Sequence, residues 1–369
     1  MTTTALVLAA GHGTRMRSTR PKPLHVICGR PMVMHVIEAL GGVAPARTLV
    51  VVGHGGQRVQ DAVSRNAPSW ANVSFVEQPE QRGTGDATLV GLHALNRLDG
   101  LADDGDLDMD DDGTVLVLPG DTPLLRSDTI TDLVATHRSS GAAVTMLSSV
   151  VADPTGYGRI VRAKHGGVTA IVEHKDASAQ QRDIREINTG IYAFRRGLLG
   201  PALRRIGTAN AQGEYYLTDA VGVLASMGHR VDAHNADPAE VTGVNDRWQL
   251  ALAERELRAR TNRRWLLEGV TMLDPRQTFI DVTVTIGTDV TLYPGVILQG
   301  STTIGDGTEV GPSTRLVDCV VGSNVRMEHT TAYESTIGDG AHVGPYAHLP
   351  AGTTVATGAK TGSFYDGAR

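Results

Sequence analysis

The sequence predicts two regions of different class, an α/β domain with a mainly parallel sheet and then a short parallel β-helix. Short apolar runs that alternate with amphipathic, helix-length stretches from Ala5 to about Val231 indicate the first region. A glycine-containing hexapeptide pattern after Asp281 indicates the second. Between them, Asn245–Glu268 contains neither Gly nor Pro and is rich in charge, Ala and Leu, which predicts one long joining helix.

The composition is that of a globular protein. Of 369 residues, 41% are hydrophobic and 20% are charged, which excludes a disordered or collagen-like chain. Lys and Arg number 34 against 40 Asp and Glu, and no long basic run occurs, so neither a dedicated nucleic-acid binder nor an anionic-membrane binder is expected. The separated Cys28 and Cys319 give no disulfide framework and no zinc-ligand spacing. With no export signal and no apolar run of about 20 residues, a cytoplasmic protein is expected.

In the α/β region, apolar runs predict strands, and helical spacing of Leu, Val, Ile and Ala predicts helices. The predicted strands are Ala5–Leu8, Thr48–Val52, Val73–Val76, Thr114–Leu118, Ala142–Leu147 and Ile191–Phe194. The predicted helices are Met32–Leu40, Gly85–Leu98, Ser127–His137 and Leu217–Met227. Open α/β sheets leave a crevice at the carboxyl ends of their strands, so the polar motifs there are candidates for a site.

In the C-terminal region, an aliphatic residue followed by glycine recurs at spacings near six or its multiples. Ile286-Gly287, Ile304-Gly305, Val321-Gly322 and Ile337-Gly338 are examples. In a parallel β-helix the aliphatic residue points inward and glycine permits the corner. At ~18 residues per coil, roughly four coils are expected.

The acidic stretch Asp103–Asp112 contains the opening half of a calcium loop. Pro119 stands where the bidentate glutamate of such a loop belongs, so a solvated loop is expected instead.

The first motif with chemical content is the segment from Leu8 to Met16, LAAGHGTRM. A strand followed at once by small residues leaves backbone N–H groups open to phosphate oxygens, and Arg15 and Lys22 add positive charge. The pattern is neither a dinucleotide fingerprint nor a Walker loop. The glycine pair alone could be a plain tight turn. The complete pattern indicates a phosphate cradle of Leu8, Ala9, Ala10, Gly11 and Gly13.

Two further motifs follow predicted strands. Gln78 can both donate and accept hydrogen bonds, which suits the edge of a base, and Gly83-Thr84 opens a helix whose amides could hold a polar ligand or simply be capped. Asp121 follows a hydrophobic strand next to Gly120, where a carboxylate can hold Mg²⁺ or form a turn.

A fourth group of polar residues lies between positions 153 and 219. Glu173 and Asn188 can bind sugar hydroxyls or an N-acetyl group, and Gly158 lets a sugar ring approach the backbone. Separately, each of these segments could be a surface turn.

The first motif with Lys22 resembles the signature of the sugar-1-phosphate nucleotidyltransferases. From the first strand to about Phe364, the chain is similar to the bacterial N-acetylglucosamine-1-phosphate uridylyltransferases, which are normally fused to a glucosamine-1-phosphate acetyltransferase. The resemblance implies a Rossmann-like nucleotidyltransferase domain over 1–240, a linking helix over 241–269 and a shortened left-handed β-helix over 270–369 that forms a homotrimer.

The resemblance also implies roles for individual residues. Arg15, Lys22 and Asp121 are expected to be catalytic, and Asp121 and Asn245 to bind Mg²⁺, although Asn245 could instead cap the linking helix. Gln78, Gly83 and Thr84 are expected to contact uracil. The expected sugar-binding residues are Gly120, Gly158, Glu173, Asn188, Tyr216 and Thr218. Where the bacterial enzymes usually have His after the Gly-Thr-Gly segment, this chain has Asp86.

The implied reaction joins N-acetylglucosamine 1-phosphate to the α-phosphorus of UTP and expels pyrophosphate. Because the attacking phosphate is already anionic, positioning and charge neutralisation by Mg²⁺, Lys22 and Arg15 are expected to supply most of the acceleration. Another sugar 1-phosphate or nucleotide is an alternative, motivated by Asp86 and Pro23. A non-catalytic scaffold is a second alternative, against which the intact charged set argues.

The resemblance breaks down near the C-terminus. Pro350 stands where the acetyltransferase has an arginine, and the positions of its later residues do not occur in this sequence. Acetyl transfer is therefore expected to be absent.

Overall fold

The structure, a computed structural model, describes residues 2–11, 13–53, 56–100, 111–164 and 166–367. Residues 101–110, which include most of the predicted acidic loop, lie outside this description. The chain divides into two compact units. The first consists of residues 1–25 and 31–250, and the second of residues 26–30 and 251–369.

A mixed, mostly parallel sheet forms the centre of the first unit. The strands up to residue 235 are β1 Thr3–Ala9, β2 Val26–Ile27, β3 Arg30–Pro31, β4 Arg47–Val52, β5 Val73–Glu77, β6 Thr114–Pro119, β7 Val144–Val150, β8 Arg159–Arg162, β9 Val168–Val172, β10 Glu186–Arg195 and β11 Val231–Asn235. The helices are α1 Met32–Ala39, α2 Gln57–Asn66, α3 Thr84–Leu98, α4 Ser127–Ser140, α5 Ala179–Arg182, α6 Arg196–Leu203, α7 Leu217–Ser226, α8 Pro238–Val241 and α9 Arg247–Leu267. Every strand and helix predicted above for this region is confirmed.

The strand order is β11-β7-β10-β6-β1-β4-β5, and β8 and β9 extend from β10. β1 is parallel to both of its neighbours, β4 and β6, and β4 is parallel to β5. β10 runs antiparallel to β6 and β7. The carboxyl ends of β1, β5 and β6 and the amino end of β10 consequently meet at one edge of the sheet.

The central strands are buried on both faces, as expected for a sheet covered by helices on each side. Val7 and Leu116 pack in one hydrophobic cluster with residues of α1 and α4. Leu6 and Val117 pack in a second cluster with residues of α3, α6 and α7. Successive side chains of a strand point to opposite faces of the sheet, and both faces are covered here. These strands therefore contain continuous apolar runs.

The second unit is a left-handed parallel β-helix, which confirms the predicted fold. Its short strands are β12 Thr271–Met272, β13 Phe279–Ile280, β14 Thr285–Ile286, β15 Thr291–Leu292, β16 Ile297–Gln299, β17 Thr303–Ile304, β18 Glu309–Val310, β19 Arg315–Val317, β20 Val320–Val321, β21 Arg326–Met327, β22 Thr331–Tyr333, β23 Thr336–Ile337, β24 His342–Val343, β25 His348–Leu349 and β26 Thr354–Val355. Every third strand pairs in parallel, giving three sheets of five strands each.

The coils of the β-helix are held together by stacked aliphatic side chains. Leu292, Val310 and Met327 stack in one sheet, and Leu298 and Leu316 in the next, all at most 3% exposed. The five strands per sheet exceed the roughly four coils expected. The difference arises because the first coil begins at Thr271, before the glycine pattern is recognisable.

Both cysteines are free and buried. Within the described part of the chain, none of the helices combines the length and apolarity that crossing a membrane requires.

His137 on α4 connects the fold to a pH dependence of stability. Its Nδ1 lies 3.1 Å from the Thr145 hydroxyl, and the residue is 5% exposed. Burial, reinforced by the positive charges of Arg195 and Arg138, lowers its pKa from 6.5 to about 4. Between these values the unfolded chain binds a proton that the folded chain does not, so the free energy of unfolding falls as the pH drops through this range.

We expect His137→Gln to remove this part of the acid sensitivity. At ~1.4 kcal/mol per pH unit, the wild-type loss attributable to His137 is roughly 3 kcal/mol. Urea unfolding of the whole chain at pH 7 and pH 4, followed through the transition of the first unit, measures this loss of unfolding free energy. His342, which is exposed in the second unit, provides the control His342→Gln. Identical pH profiles for wild type and His137→Gln would contradict the assignment.

Candidate active site

One cavity of about 550 Å³ opens at the edge of the sheet where β1, β5 and β6 end, within the first unit. Of the predicted site residues, all but Gly158 and Tyr216 line it. Those that do are Leu8, Ala9, Ala10, Gly11, Gly13, Arg15, Lys22, Gln78, Gly83, Thr84, Gly120, Asp121, Glu173, Asn188, Thr218 and Asn245. Residues more than 200 positions apart in the chain thus share a single cavity.

The loop after β1 forms one wall of the cavity. Gly13 has a left-handed backbone with φ of 60°, and a β-carbon there would lie 2.6 Å from the Lys22 Cβ. Glycine at this position therefore lets the loop turn tightly against Lys22. Residues 14–16 then form a single 3-10 turn that buries Met16. His12 in this loop lies outside the described residues.

A charged cluster occupies the cavity next to the end of β6. The Lys22 ammonium donates to the Asp121 carboxylate and to the Asn245 Oδ1, the latter at 3.0 Å. The Arg15 guanidinium also donates to Asn245 Oδ1, at 2.9 Å. Two cations and two oxygen acceptors from three separate segments therefore converge.

The backbone positions Asn245 in this cluster. The N–H of Val244 donates to the Asp121 carbonyl at 2.9 Å, which ties the segment before α9 to the end of β6. Asp246, not Asn245, accepts the Gln249 N–H at the start of α9. The capping role considered for Asn245 is thus taken by its neighbour, and the Asn245 carboxamide oxygen instead accepts from Lys22 and Arg15 in the cavity.

The donor set of this cluster fits a hard divalent cation. The Asp121 carboxylate and the Asn245 carboxamide present oxygen atoms that already surround one positive charge, the Lys22 ammonium. Among the described residues, no three His, Cys, Asp or Glu side chains are grouped as metal ligands. One carboxylate and one amide oxygen suit a Mg²⁺ ion that takes its remaining ligands from water and substrate phosphates.

On the opposite side of β1, the segment after β5 provides amide groups. Gln78 is 2% exposed, and its backbone N–H donates to Val52 on β4 at 2.8 Å. Gly83 has a φ of 111°, and a β-carbon there would lie 2.5 Å from the Tyr215 carbonyl oxygen. Only glycine fits this turn into α3, which sets the N-terminus of the helix against the cavity.

The third part of the cavity lies beside β10. Asn188, near the start of that strand, is 9% exposed, and its N–H donates to the Gly158 carbonyl at 2.9 Å. The Thr218 hydroxyl donates to Glu173 Oε1 at 3.2 Å. Burial raises the pKa of Glu173, and the Thr218 hydrogen bond opposes that rise.

Two predicted sugar-site residues, Gly158 and Tyr216, do not line the cavity. A β-carbon on Gly158 would come within 3.1 Å of Ile171 Cγ2 and 3.4 Å of Glu173 Oε1, so glycine allows these strands to pack closely. Tyr216 is 6% exposed at the start of α7.

Sequence reasoning missed several lining residues. Gln81 donates from Nε2 to the Ala10 carbonyl and so bridges the β1 and β5 loops. The sequence shows both Gln78 and Gln81 in the Glu77–Ala87 segment. No local pattern indicates which of the two contacts the other loop. The further lining residues are Thr14, Pro23, Ala87, Pro119, Gly190, Tyr192, Glu214 and Leu217.

Comparison with known proteins agrees with this architecture. Residues 5–186 match the family described as the MobA-like NTP transferase domain. The chain is 48% identical to the bifunctional protein GlmU of Streptomyces avermitilis over 363 residues, which are 98% of this chain and 72% of that relative.

Two further relatives extend the comparison. The GlmU protein of Thermobifida fusca is 49% identical over 331 residues, 89% of this chain and 66% of the relative. That of Mycobacterium bovis is 46% identical over 366 residues, 99% of this chain and 72% of the relative. The resemblance drawn from the motifs is confirmed, and the chain belongs to the GlmU family of sugar-1-phosphate nucleotidyltransferases.

Proposed function

We propose that the chain catalyses the Mg²⁺-dependent reaction of UTP with N-acetylglucosamine 1-phosphate to give UDP-N-acetylglucosamine and pyrophosphate. The observation that carries the proposal is the contact of Lys22 with both Asp121 and Asn245, at the sheet edge between an amide-rich wall and a carboxylate-bearing wall. The charges of Lys22, Arg15 and Asp121 thus lie where the phosphates of the two proposed substrates would meet.

The nucleotide is proposed to lie across the end of β1. Leu8, Ala9, Ala10, Gly11 and Gly13 line this part of the cavity, and the N–H groups that follow the end of β1, together with the side chain of Arg15, hold the phosphates. Gln78, Gly83 and Thr84 contact the base. Each of these residues lines the same cavity, which supports a single continuous nucleotide site.

The sugar phosphate is proposed to lie beside β10. Gly120, Glu173, Asn188 and Thr218 face it, while Gly158 and Tyr216 support the wall behind. The Glu173 carboxylate and the Asn188 amide offer an acceptor and a mixed donor–acceptor group, which suit hydroxyl and acetamido groups.

The chemical step forms a bond between the anionic phosphate oxygen of the sugar 1-phosphate and the α-phosphorus of UTP. The bond from that phosphorus to the bridging oxygen breaks, and pyrophosphate leaves with the electron pair. Asp121 and Asn245 would hold Mg²⁺, which would neutralise phosphate charge when bound. Lys22 and Arg15 neutralise further charge and align the phosphates, and no strong base is required.

Acetyl transfer is not part of the proposed function, and a homotrimeric, cytoplasmic protein is proposed from the resemblance. The arginine position of the acetyltransferase is occupied by Pro350, which carries no charge. The Pro350 carbonyl accepts hydrogen bonds from the Thr353 and Ser335 hydroxyls within the β-helix.

The test is pyrophosphate release with Mg²⁺, with four nucleoside triphosphates crossed against a panel of sugar 1-phosphates. We expect UTP with N-acetylglucosamine 1-phosphate to give the highest kcat/KM, and acetyl-CoA with glucosamine 1-phosphate to give no product. Sedimentation is expected to yield a trimer mass. A different best pair would replace the substrate assignment, and failure of every pair would overturn the catalytic one.

A further inference from the structure

Asp86 contacts the glutamine that is proposed to meet the base. It lies in the first turn of α3, and its Oδ2 accepts a hydrogen bond of 2.7 Å from Gln78 Nε2. The same Nε2 donates to the Gly83 carbonyl at 3.3 Å. Gln78 is almost fully buried, so its side chain is held by these two contacts and by the cavity walls.

The two contacts fix which end of the Gln78 amide faces the cavity. A carboxylate and a carbonyl oxygen only accept hydrogen bonds, so the group between them must be the NH₂. The opposite orientation would set the Gln78 oxygen against two other oxygens. Because both contacts use Nε2 and Gln78 lines the cavity, its Oε1 is the amide atom left for a ligand.

We infer that Asp86 is a positioning residue that makes Gln78 a hydrogen-bond acceptor toward the base and so selects uracil over cytosine. The inference rests on the proposed function, because it takes the base to lie at Gln78. Uracil carries an N–H at N3, which an acceptor can bind. Neutral cytosine carries a lone pair there, which would face the Gln78 oxygen.

The expected size of the effect follows from the cost of an unpaired buried acceptor. Wild type is therefore expected to favour UTP over CTP by about 10–100-fold in kcat/KM through this contact. Without Asp86, only the longer contact with the Gly83 carbonyl, at 3.3 Å, still opposes the turned orientation, so the Gln78 amide can turn and donate to the cytosine N3. Discrimination is then expected to fall to a few-fold while the sugar-phosphate KM stays unchanged.

Variants at position 86 separate hydrogen bonding from charge. Asp86→Ala removes the acceptor, whereas Asp86→Asn keeps an acceptor oxygen and removes the charge. Because an asparagine amide can also turn and donate to Gln78, we expect Asn to give an intermediate UTP-to-CTP ratio and Ala to lose the discrimination. Glu80→Ala is the matched control, since Glu80 is exposed in the same loop and pairs with Arg82.

The experiment measures kcat/KM for UTP, CTP and N3-methyl-UTP at saturating N-acetylglucosamine 1-phosphate, and calorimetric binding of UTP and CTP with Mg²⁺ alone. Wild type that does not prefer UTP would defeat the proposed function before any variant is compared. Wild type that prefers UTP, with the same UTP-to-CTP ratio in Asp86→Ala, would overturn the inference and leave the function standing. Should Asp86→Ala fail to fold, use of N3-methyl-UTP by wild type as efficiently as UTP would also overturn it.

Discussion

Replacing Asp121 with alanine is expected to lower kcat for pyrophosphate release by about 10²–10³-fold, the scale of losing one strong transition-state contact. Asp121 provides the carboxylate of the charged cluster, and its side chain contacts Lys22 in the cavity. Removing it leaves Lys22 with the neutral Asn245 and deprives the proposed Mg²⁺ site of its anionic ligand. Turnover measured across a Mg²⁺ titration checks both effects, because the midpoint should move to higher Mg²⁺.

The control for this substitution is Asp132→Ala, which removes an exposed carboxylate on α4. Asp121→Asn keeps the shape and an oxygen ligand but loses the charge, and an intermediate activity is expected. Near-wild-type kcat with an unchanged Mg²⁺ midpoint in Asp121→Ala would remove Asp121 from the proposed site.

Replacing Lys22 with methionine is expected to lower kcat/KM for UTP by about 10²-fold or more. Its ammonium joins Asp121 and Asn245, and its Cβ packs against Gly13, so the charge is fixed beside the β1 loop. Methionine keeps an unbranched side chain that is one atom shorter and lacks the charge and the donors. Initial rates with UTP varied at saturating sugar phosphate measure the loss, with exposed Lys164→Met as control.

The double variant Lys22→Met with Asp121→Ala tests whether these residues act together. Groups that stabilise the same phosphate charge give losses smaller than the product of the single effects. Fully multiplicative losses would indicate independent roles and would contradict a shared cluster.

Much of the architecture could be predicted because local patterns and tertiary packing agree. β1 and β6 are largely apolar after their first residues because both of their faces are covered. The hexapeptide glycines Gly287, Gly305 and Gly322 mark positions where a β-carbon would clash with the next coil. The phosphate-cradle motif joins β1 to a turn, so its position at the strand's end followed from local sequence.

Long-range pairing was not predictable from local patterns. The strand at Ile191–Phe194 was correctly predicted, but nothing in its composition indicates that β10 runs antiparallel to β6. That reversal brings Asn188, which precedes the apolar run, to the same edge as Asp121. Similarly, Asn and Asp are both good helix caps, so only the structure separates Asp246, which caps α9, from Asn245, which faces the cavity.

The pairing of strands in the two units also distinguishes how each can assemble. In the first unit, β1 pairs with β6 through contacts such as that of Thr3 with Thr114. This pairing closes a loop of more than a hundred residues before it contributes any stability. In the β-helix, Ile297 pairs with Arg315 and Arg315 with Thr331, offsets of 18 and 16 residues. Each coil can therefore form on the previous one at nearly constant loop-closure entropy, so the β-helix has the low contact order of a repeat array, whereas the catalytic unit must search for distant partners.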